Sequence, residues 1–384
     1  MTDIYKIFIS AGESSGDIHG ANLMHCMMKK HPSLKFYGLG MENMKRAGLH
    51  CLHDMSAKSL MWLHALTKLT TFLRMKKDCI RFFQQERPDA VILIDYCGFN
   101  FLLARASRKL GIPVIYYICP QLWAHAPWRV KKMKKLVDKL IVIYPFEKPF
   151  YETAGIPVTY VGHPLFDEIH KKGTDVNIVS ELKKQGEIII SLLPGSRKQE
   201  IVRLLPLLLQ SAVRIQQTIP SATFLVSCSD EQHVDLVQAI IRGSKAACRI
   251  VIKNVHEVIA ASNLCLTGAG TITLQIAHYL KPMIIVYKIS PFAYFIARPF
   301  LTTPYIGLVN TLARRMIVPE LLMFRRNSDW LANQAIQLLT NSQKRQTCIN
   351  ELTSLVNEIG KPGASEYAAC EILSLLYRFK LPKC

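Results

Sequence analysis

The chain has 384 residues, half of them hydrophobic, a formal net charge of +20 and 11 cysteines. That length exceeds what one hydrophobic core usually serves, so two domains of ordinary size are expected. The cysteines are scattered singly from Cys26 to Cys384, odd in number and without a CxxC pair, which suggests neither a disulfide framework nor a zinc site and suits a reducing cytoplasm.

Residues 1–6 run straight into a strand, with neither the basic n-region nor the apolar h-region of a secretion signal. The most apolar late segment, residues 282–301, carries Lys288, Arg298 and three prolines, and is no membrane span. The charge asks for an anionic partner, either nucleic acid or an anionic membrane surface. No RNP-like, helix-turn-helix or zinc-finger pattern appears, so nucleic acid is not expected.

Residues 6–10 read as a strand and 18–30 as a helix, joined by the loop Ala11-Gly12-Glu13-Ser14-Ser15-Gly16-Asp17. The loop is not G-x-G-x-x-G, which counts against a dehydrogenase. A strand at 35–39 and a short helix opening at 40–44 follow. Over 59–77, Trp62, Leu66, Leu69 and Leu73 fall at i, i+4, i+7 and i+11, a single helical stripe bordered by Lys68, Arg74, Lys76 and Lys77. Such a stripe is ordinarily core; the alternative is a surface that dips into a bilayer or accepts an acyl chain.

The nearly all-apolar run 88–94 is a strand of the kind covered on both faces, and Asp95 stands just past its carboxyl end, where open α/β sheets place ligands. Asp95 or the nearer Asn100 could cap the helix expected at 101–110. Asn100 is the better cap, which leaves Asp95 free for chemistry. Strand 112–118 leads into a proline-rich loop in which Trp123, His125 and Trp128 either line a sugar site by stacking or anchor the loop. The helix at 129–138 presents Arg129, Lys131, Lys132, Lys134 and Lys135, with Lys139 at its end, as a solvated face or a contact for an anionic surface. Strand 140–144, helix 146–154 and strand 158–161 finish the first half, and the hinge is placed between Gly162 and Asn177.

The second half opens on strand 188–193 and helix 201–217, joined by Pro194-Gly195-Ser196-Arg197-Lys198-Gln199-Glu200. At such a corner a glycine lets backbone approach a ligand, the free amides of the helix start favour an anion, and Arg197 adds a forked cationic donor. The occupant this suggests is a phosphate or diphosphate; the plainer reading is a βα turn with an exposed arginine. A second corner, Gly268-Ala269-Gly270-Thr271 with Gln275 beyond it, follows strand 264–267. Two anion corners in one α/β domain suggest a nucleotide. Strands 223–227, 249–252 and 283–287 and helices 231–242 and 255–261 keep the rhythm of a second doubly wound sheet. A strand at 305–309, Asn310, a helix opened by Val318-Pro319-Glu320, and three helical stretches between 329 and 379 close the chain.

Ala11 to Asp17, Asp95 with Gly98-Phe99-Asn100, Pro120-Gln121-Leu122-Trp123-Ala124, Pro145-Phe146-Glu147 followed by Gly162-His163-Pro164, Leu193 to Arg197, and Asn310 with Pro319-Glu320 together resemble the lipid-A-disaccharide synthases. The resemblance implies an α/β GT-B glycosyltransferase, with two Rossmann-like parallel-sheet domains facing across a cleft. Residues 1–165 would take the acceptor and the membrane, and 166–344 the UDP-sugar. Residues 345–384 would be helices that either return to the first domain or stay with the second. The implied reaction joins UDP-2,3-diacylglucosamine to 2,3-diacylglucosamine 1-phosphate (lipid X), at the cytoplasmic face of an inner membrane; a homodimer is one assembly open to it. Other UDP-N-acetylglucosamine enzymes of the same fold, or a non-catalytic lipid-binding relative, are the alternatives.

Asp95 is expected to be the general base, with Glu13 and His19 as lesser candidates. Gly195, Ser196, Arg197, Gly268, Gly270 and Thr271 would hold the diphosphate. Glycosyltransferases of this fold commonly contact the ribose hydroxyls with a glutamate; here Gln275 stands in that place, so either nucleotide affinity is weaker or Glu320 takes the role, and Asn310 is counted with them among the UDP-binding residues. Trp62, Leu66, Leu69, Leu73, Trp123, Lys131, Lys132, Lys134 and Lys135 would meet the lipid or the membrane. No cofactor is expected. No DxD pair follows a strand, so no obligatory metal is expected either; loss of turnover on chelation would overturn that.

Overall fold

The computed structural model describes residues 5–55, 65–289, 294, 298, 303–323 and 327–380, without the side chains of 65–70, 125, 323 and 380. The chain divides into two compact units, Met1–Asp167 with Lys361–Cys384, and Glu168–Gly360.

The first unit alternates β1 (Lys6–Ala11), α1 (Ser14–Lys30), β2 (Lys35–Gly40), α2 (Glu42–Arg46), β3 (Leu49–Asp54), α3 (Ala65–Glu86), β4 (Ala90–Ile94) and α4 (Cys97–Lys109). It continues with β5 (Val114–Tyr117), α5 (Leu122–His125), α6 (Val130–Leu136), β6 (Lys139–Val142), α7 (Glu147–Thr153) and β7 (Val158–Tyr160). Among the described residues these strands make a seven-stranded sheet in the order β3-β2-β1-β4-β5-β6-β7, with every pairing parallel. All five residues of β4 are buried, as helices on both faces require. The order reverses between β1 and β4, so the carboxyl ends of those two strands flank a topological switch point.

After α8 (Pro164–Lys172), which straddles the division, the second unit runs α9 (Val176–Lys183), β8 (Ile188–Leu193), α10 (Lys198–Thr218), β9 (Ala222–Cys228), α11 (Val234–Arg242), β10 (Cys248–Ile252) and α12 (Val255–Ala261). β11 (Leu264–Gly268), α13 (Ile272–His278), β12 (Met283–Lys288), α14 (Leu308–Ala313), β13 (Glu320–Met323), α15 (Ser328–Thr340) and α16 (Ser342–Ile359) complete it. Its strand order is β10-β9-β8-β11-β12-β13, again all parallel, with the switch between β8 and β11. The final helix, α17 (Ala364–Lys380), packs on α1 in the first unit. Asp167 caps it across nearly two hundred residues, accepting from the amides of Gly363 (2.6 Å), Ala364 (3.2 Å) and Ser365 (2.7 Å). α16, grouped on sequence grounds with the final helices, packs instead on α13, α14 and α15.

Several expectations are corrected. β3 is a strand that Leu49-His50-Cys51-Leu52-His53-Asp54 does not advertise, since it holds no β-branched residue. The strand expected at 305–309 does not form: the amides of Ile306 and Gly307 donate to the carboxylate of Glu320, at 3.0 Å each, and α14 begins at Leu308. Val318-Pro319-Glu320 opens no helix; Glu320 begins β13, a sheet edge where the carbonyl of Pro319 accepts from Ile285 and the missing proline donor is not needed.

Candidate active site

Both switch points carry the motifs singled out in the sequence. In the first unit Glu13 follows β1 and Asp95 follows β4. Asp95 and Tyr96 both stand in the left-handed region, at φ 43° and 46°, and Ile118 after β5 does so at 55°. The Asp95 amide donates to the Ile118 carbonyl at 3.1 Å. Its own carbonyl accepts from Asn100 Nδ2 at 2.8 Å and from Tyr116 Oη at 2.5 Å. The Tyr96 ring lies so close over Gly12 that any side chain there would collide with it, which is why that loop position is glycine.

Burial, and then the Glu13 charge, push the Asp95 carboxyl up to about 6; the Tyr96 amide and His19 pull weakly the other way. Asp95 is thus a half-buried carboxylate of raised basicity at the switch point, with Glu13 half-buried and His19 buried nearby.

Asn100 is not the cap expected of it. The helix starts at Cys97, so Asn100 sits inside its first turn, fully buried, donating to the carbonyls of Ile94 and Asp95 and accepting from Ser10 Oγ at 2.8 Å. Asp17, in the same motif as Glu13, is structural: its carboxylate accepts from the amides of Met41 (2.6 Å), Asn43 (2.9 Å) and Met44 (3.2 Å) and so starts α2. His163 is buried, and burial lowers its imidazole to about 3, so it is neutral. Its ring lies 6.4 Å from that of His19 and 5.4 Å from that of Tyr144.

Trp123 is an anchor. Its indole donates to Glu147 Oε1 at 3.1 Å and packs edge-on against Phe146 at 4.7 Å. Glu147 Oε2 accepts from the amides of Ile143 and Tyr144, and burial pushes this carboxyl up to about 7. The Pro120 to Ala124 and Pro145 to Glu147 motifs are therefore two halves of one joint.

In the second unit, the Pro194 to Arg197 corner follows β8 and the Gly268 to Thr271 corner follows β11, so both sit at that unit's switch point. Gly195 and Gly270 have φ of 107° and 147°. The amides of Ser196 and Arg197, expected to be open to an anion, instead donate to Glu200 Oε2 at 3.2 and 3.4 Å, and the Arg197 guanidinium lies 3.6 Å from Glu200 Oε1. The cause is a capping box, with Glu200 at the third helical position reaching back over Arg197; an arginine at the cap hides it from the usual Ser/Thr-x-x-Glu signature. Gln275 Oε1 is buried without a hydrogen-bond partner among the described residues. Asn310 and Glu320 hold the fold. Asn310 Nδ2 donates to Glu320 Oε2 at 2.8 Å while its Oδ1 accepts from Ile317 and Val318.

A family model described as lipid-A-disaccharide synthetase matches residues 7–372. The chain belongs to the lipid-A-disaccharide synthase family. It is 36% identical over 377 residues to the synthase of Syntrophus aciditrophicus, covering 96% of this chain and 97% of that one. It is 34% identical to that of Geobacter sulfurreducens, with 97% of each covered. Among solved structures it is similar to a UDP-GlcNAc 2-epimerase from Neisseria meningitidis bound to UDP-GlcNAc, with a TM-score of 0.65 at 13% identity over 96% of this chain and 100% of that one. That likeness is one of GT-B fold alone, and the epimerase and cell-wall transferase alternatives are not favoured. The activity of a lipid-A-disaccharide synthase is glycosyl transfer.

In this synthase the four lysines Lys131, Lys132, Lys134 and Lys135 are exposed on α6, while Val130, Met133 and Leu136 are buried. Trp128, just before α6, is 55% exposed. Of the expected apolar stripe, Trp62 and the side chains of Leu66 and Leu69 lie outside the described residues; Leu73 is 55% exposed, not core. No helix among the described residues is long and apolar enough to cross a membrane.

Proposed function

We propose that this synthase transfers the sugar of UDP-2,3-diacylglucosamine to the 6-hydroxyl of lipid X, with Asp95 as general base. As the acceptor oxygen attacks the anomeric carbon, its proton passes to the Asp95 carboxylate, the bond to the diphosphate breaks, and UDP leaves with inversion to the β-1,6 linkage. The observation that supports this most is the raised, half-buried Asp95 carboxyl at the switch point of the first unit, with Glu13 beside it. Glu13 and His19 stay as lesser candidates.

The donor is a UDP-sugar, and the second unit would bind it. Arg197, Ser196, Gly195 and the backbone at Gly268, Gly270 and Thr271 would meet the diphosphate; Gln275, whose buried Oε1 has no partner among the described residues, would meet the ribose. Asn310 and Glu320 would serve by holding the backbone around α14. The exposed lysines of α6 would face the anionic inner membrane, each contributing about 1 kcal/mol near its surface.

The test is UDP release from UDP-2,3-diacylglucosamine, with and without lipid X, in wild type and Asp95→Ala. Acceptor-dependent release should fall about a hundredfold or more in the variant with UDP binding unchanged. Since the base must be ionised, kcat/KM of the wild type should drop as pH falls through about 6. Turnover within a few-fold of wild type in Asp95→Ala would remove Asp95 from the role.

A further inference from the structure

The Asp95 carboxylate is carried by backbone that does not hold its shape unaided. Two consecutive non-glycine residues, Asp95 and Tyr96, stand in the left-handed region, each at a cost of about 1 kcal/mol or more. Such a turn persists only where its surroundings over-determine it. Here two donors from different elements converge on one carbonyl: Asn100 Nδ2 from α4 and Tyr116 Oη from β5 both reach the Asp95 oxygen. Asn100 is itself oriented by Ser10 Oγ from β1, at 2.8 Å, and also holds the Ile94 carbonyl at 3.1 Å. Ser10, Asn100 and Tyr116 are all fully buried, so they act through Asp95 and not on substrate.

We propose that Tyr116, Asn100 and Ser10 are positioning residues for the transfer, holding the Asp95–Tyr96 turn left-handed and so fixing where the carboxylate of Asp95 points. The inference rests on Asp95 as the base. Asn100, inside the first turn of α4, donates back to the end of the preceding strand β4, holding the carbonyls of Ile94 and Asp95, the two peptide groups that flank the Asp95 side chain. The ionisable groups around Asp95 are Glu13 and His19 from the β1–α1 corner, Tyr96 and Cys97 on its own turn, Tyr116 and Cys119 from β5 and the loop after it, and Tyr144 beyond β6.

Tyr116→Phe keeps the ring and removes only the hydroxyl. In the full-length enzyme, kcat for UDP release should fall about ten- to a hundredfold while KM for UDP-2,3-diacylglucosamine stays put, because the base is misaimed and the donor is not. The acid limb of kcat/KM should move below its wild-type position near 6, as the carboxyl leaves its seat beside Glu13 for water. Ser10→Ala, one bond further away, should give a smaller effect with the same signature, and serves if Tyr116→Phe does not fold. If Asp95→Ala abolishes turnover but both variants keep kcat and the acid limb within twofold, the positioning role is overturned and the base stands. A kcat that falls only in step with Tm, with the limb unmoved, also overturns it. Turnover surviving Asp95→Ala overturns both.

Discussion

Glu200 places a carboxylate where a nucleotide's phosphate is expected. Its Oε2 takes the amides of both Ser196 and Arg197 and its Oε1 lies beside the Arg197 guanidinium, the donors a diphosphate would need. An incoming phosphate competes with a negative charge already seated, and that charge is worth roughly 1 kcal/mol against it at this exposed position. Glu200→Gln keeps the shape and removes the charge. UDP should then bind about fivefold more tightly by calorimetry at low salt; unchanged or weaker binding would mean that Glu200 and the phosphate do not share these donors. Glu13 and Asp17 belong to one motif, yet one sits at the switch point near Asp95 while the other starts α2, and only the fold separates them. Tyr116 carried no signal at all, being one of two adjacent tyrosines in a four-residue buried strand.

At the scale of elements, the polar side chains that matter most close helices. Asp167 satisfies three amides at the start of α17 from a helix far earlier in the chain. Asp167→Ala should cost about 1–2 kcal/mol, seen as a lower Tm, with little change in kcat; an unchanged Tm would mean that packing on α1 alone holds the helix. This is also where sequence reading divided. Strands such as β4, apolar throughout, and β8, apolar but for Ser191, were legible because burial on both faces writes itself into the residues. β3 and β13 were not, since edge strands need less apolar surface and tolerate Pro319 beside them. The Tyr305 to Val309 run looked like a strand because nothing local reveals that Glu320, thirteen residues beyond Gly307, takes the Gly307 amide.

For the molecule as a whole, the charge of +20 is the property most removed from catalysis. Four exposed lysines on α6, next to an exposed Trp128, are the described feature best matched to an anionic bilayer. Reversing Lys131, Lys132, Lys134 and Lys135 to glutamate should lower co-sedimentation with phosphatidylglycerol vesicles at least about tenfold, while soluble-substrate turnover is kept; undiminished co-sedimentation would place the contact elsewhere. The family was legible from six motifs in order, because each marks a corner or joint that the fold reuses. The return of α17 was not, since a helix that packs on α1 has the same amphipathic pattern as one that stays with its neighbours. That return bears on how the protein is made. The segment between the two parts of the first unit is translated in full before α17 leaves the ribosome, a delay of roughly ten to forty seconds at ordinary elongation rates. During that interval the second unit can complete its core, while the first, begun earlier, waits with the α1 face and the Asp167 carboxylate uncovered. The half of the synthase that starts first is thus the last to finish folding.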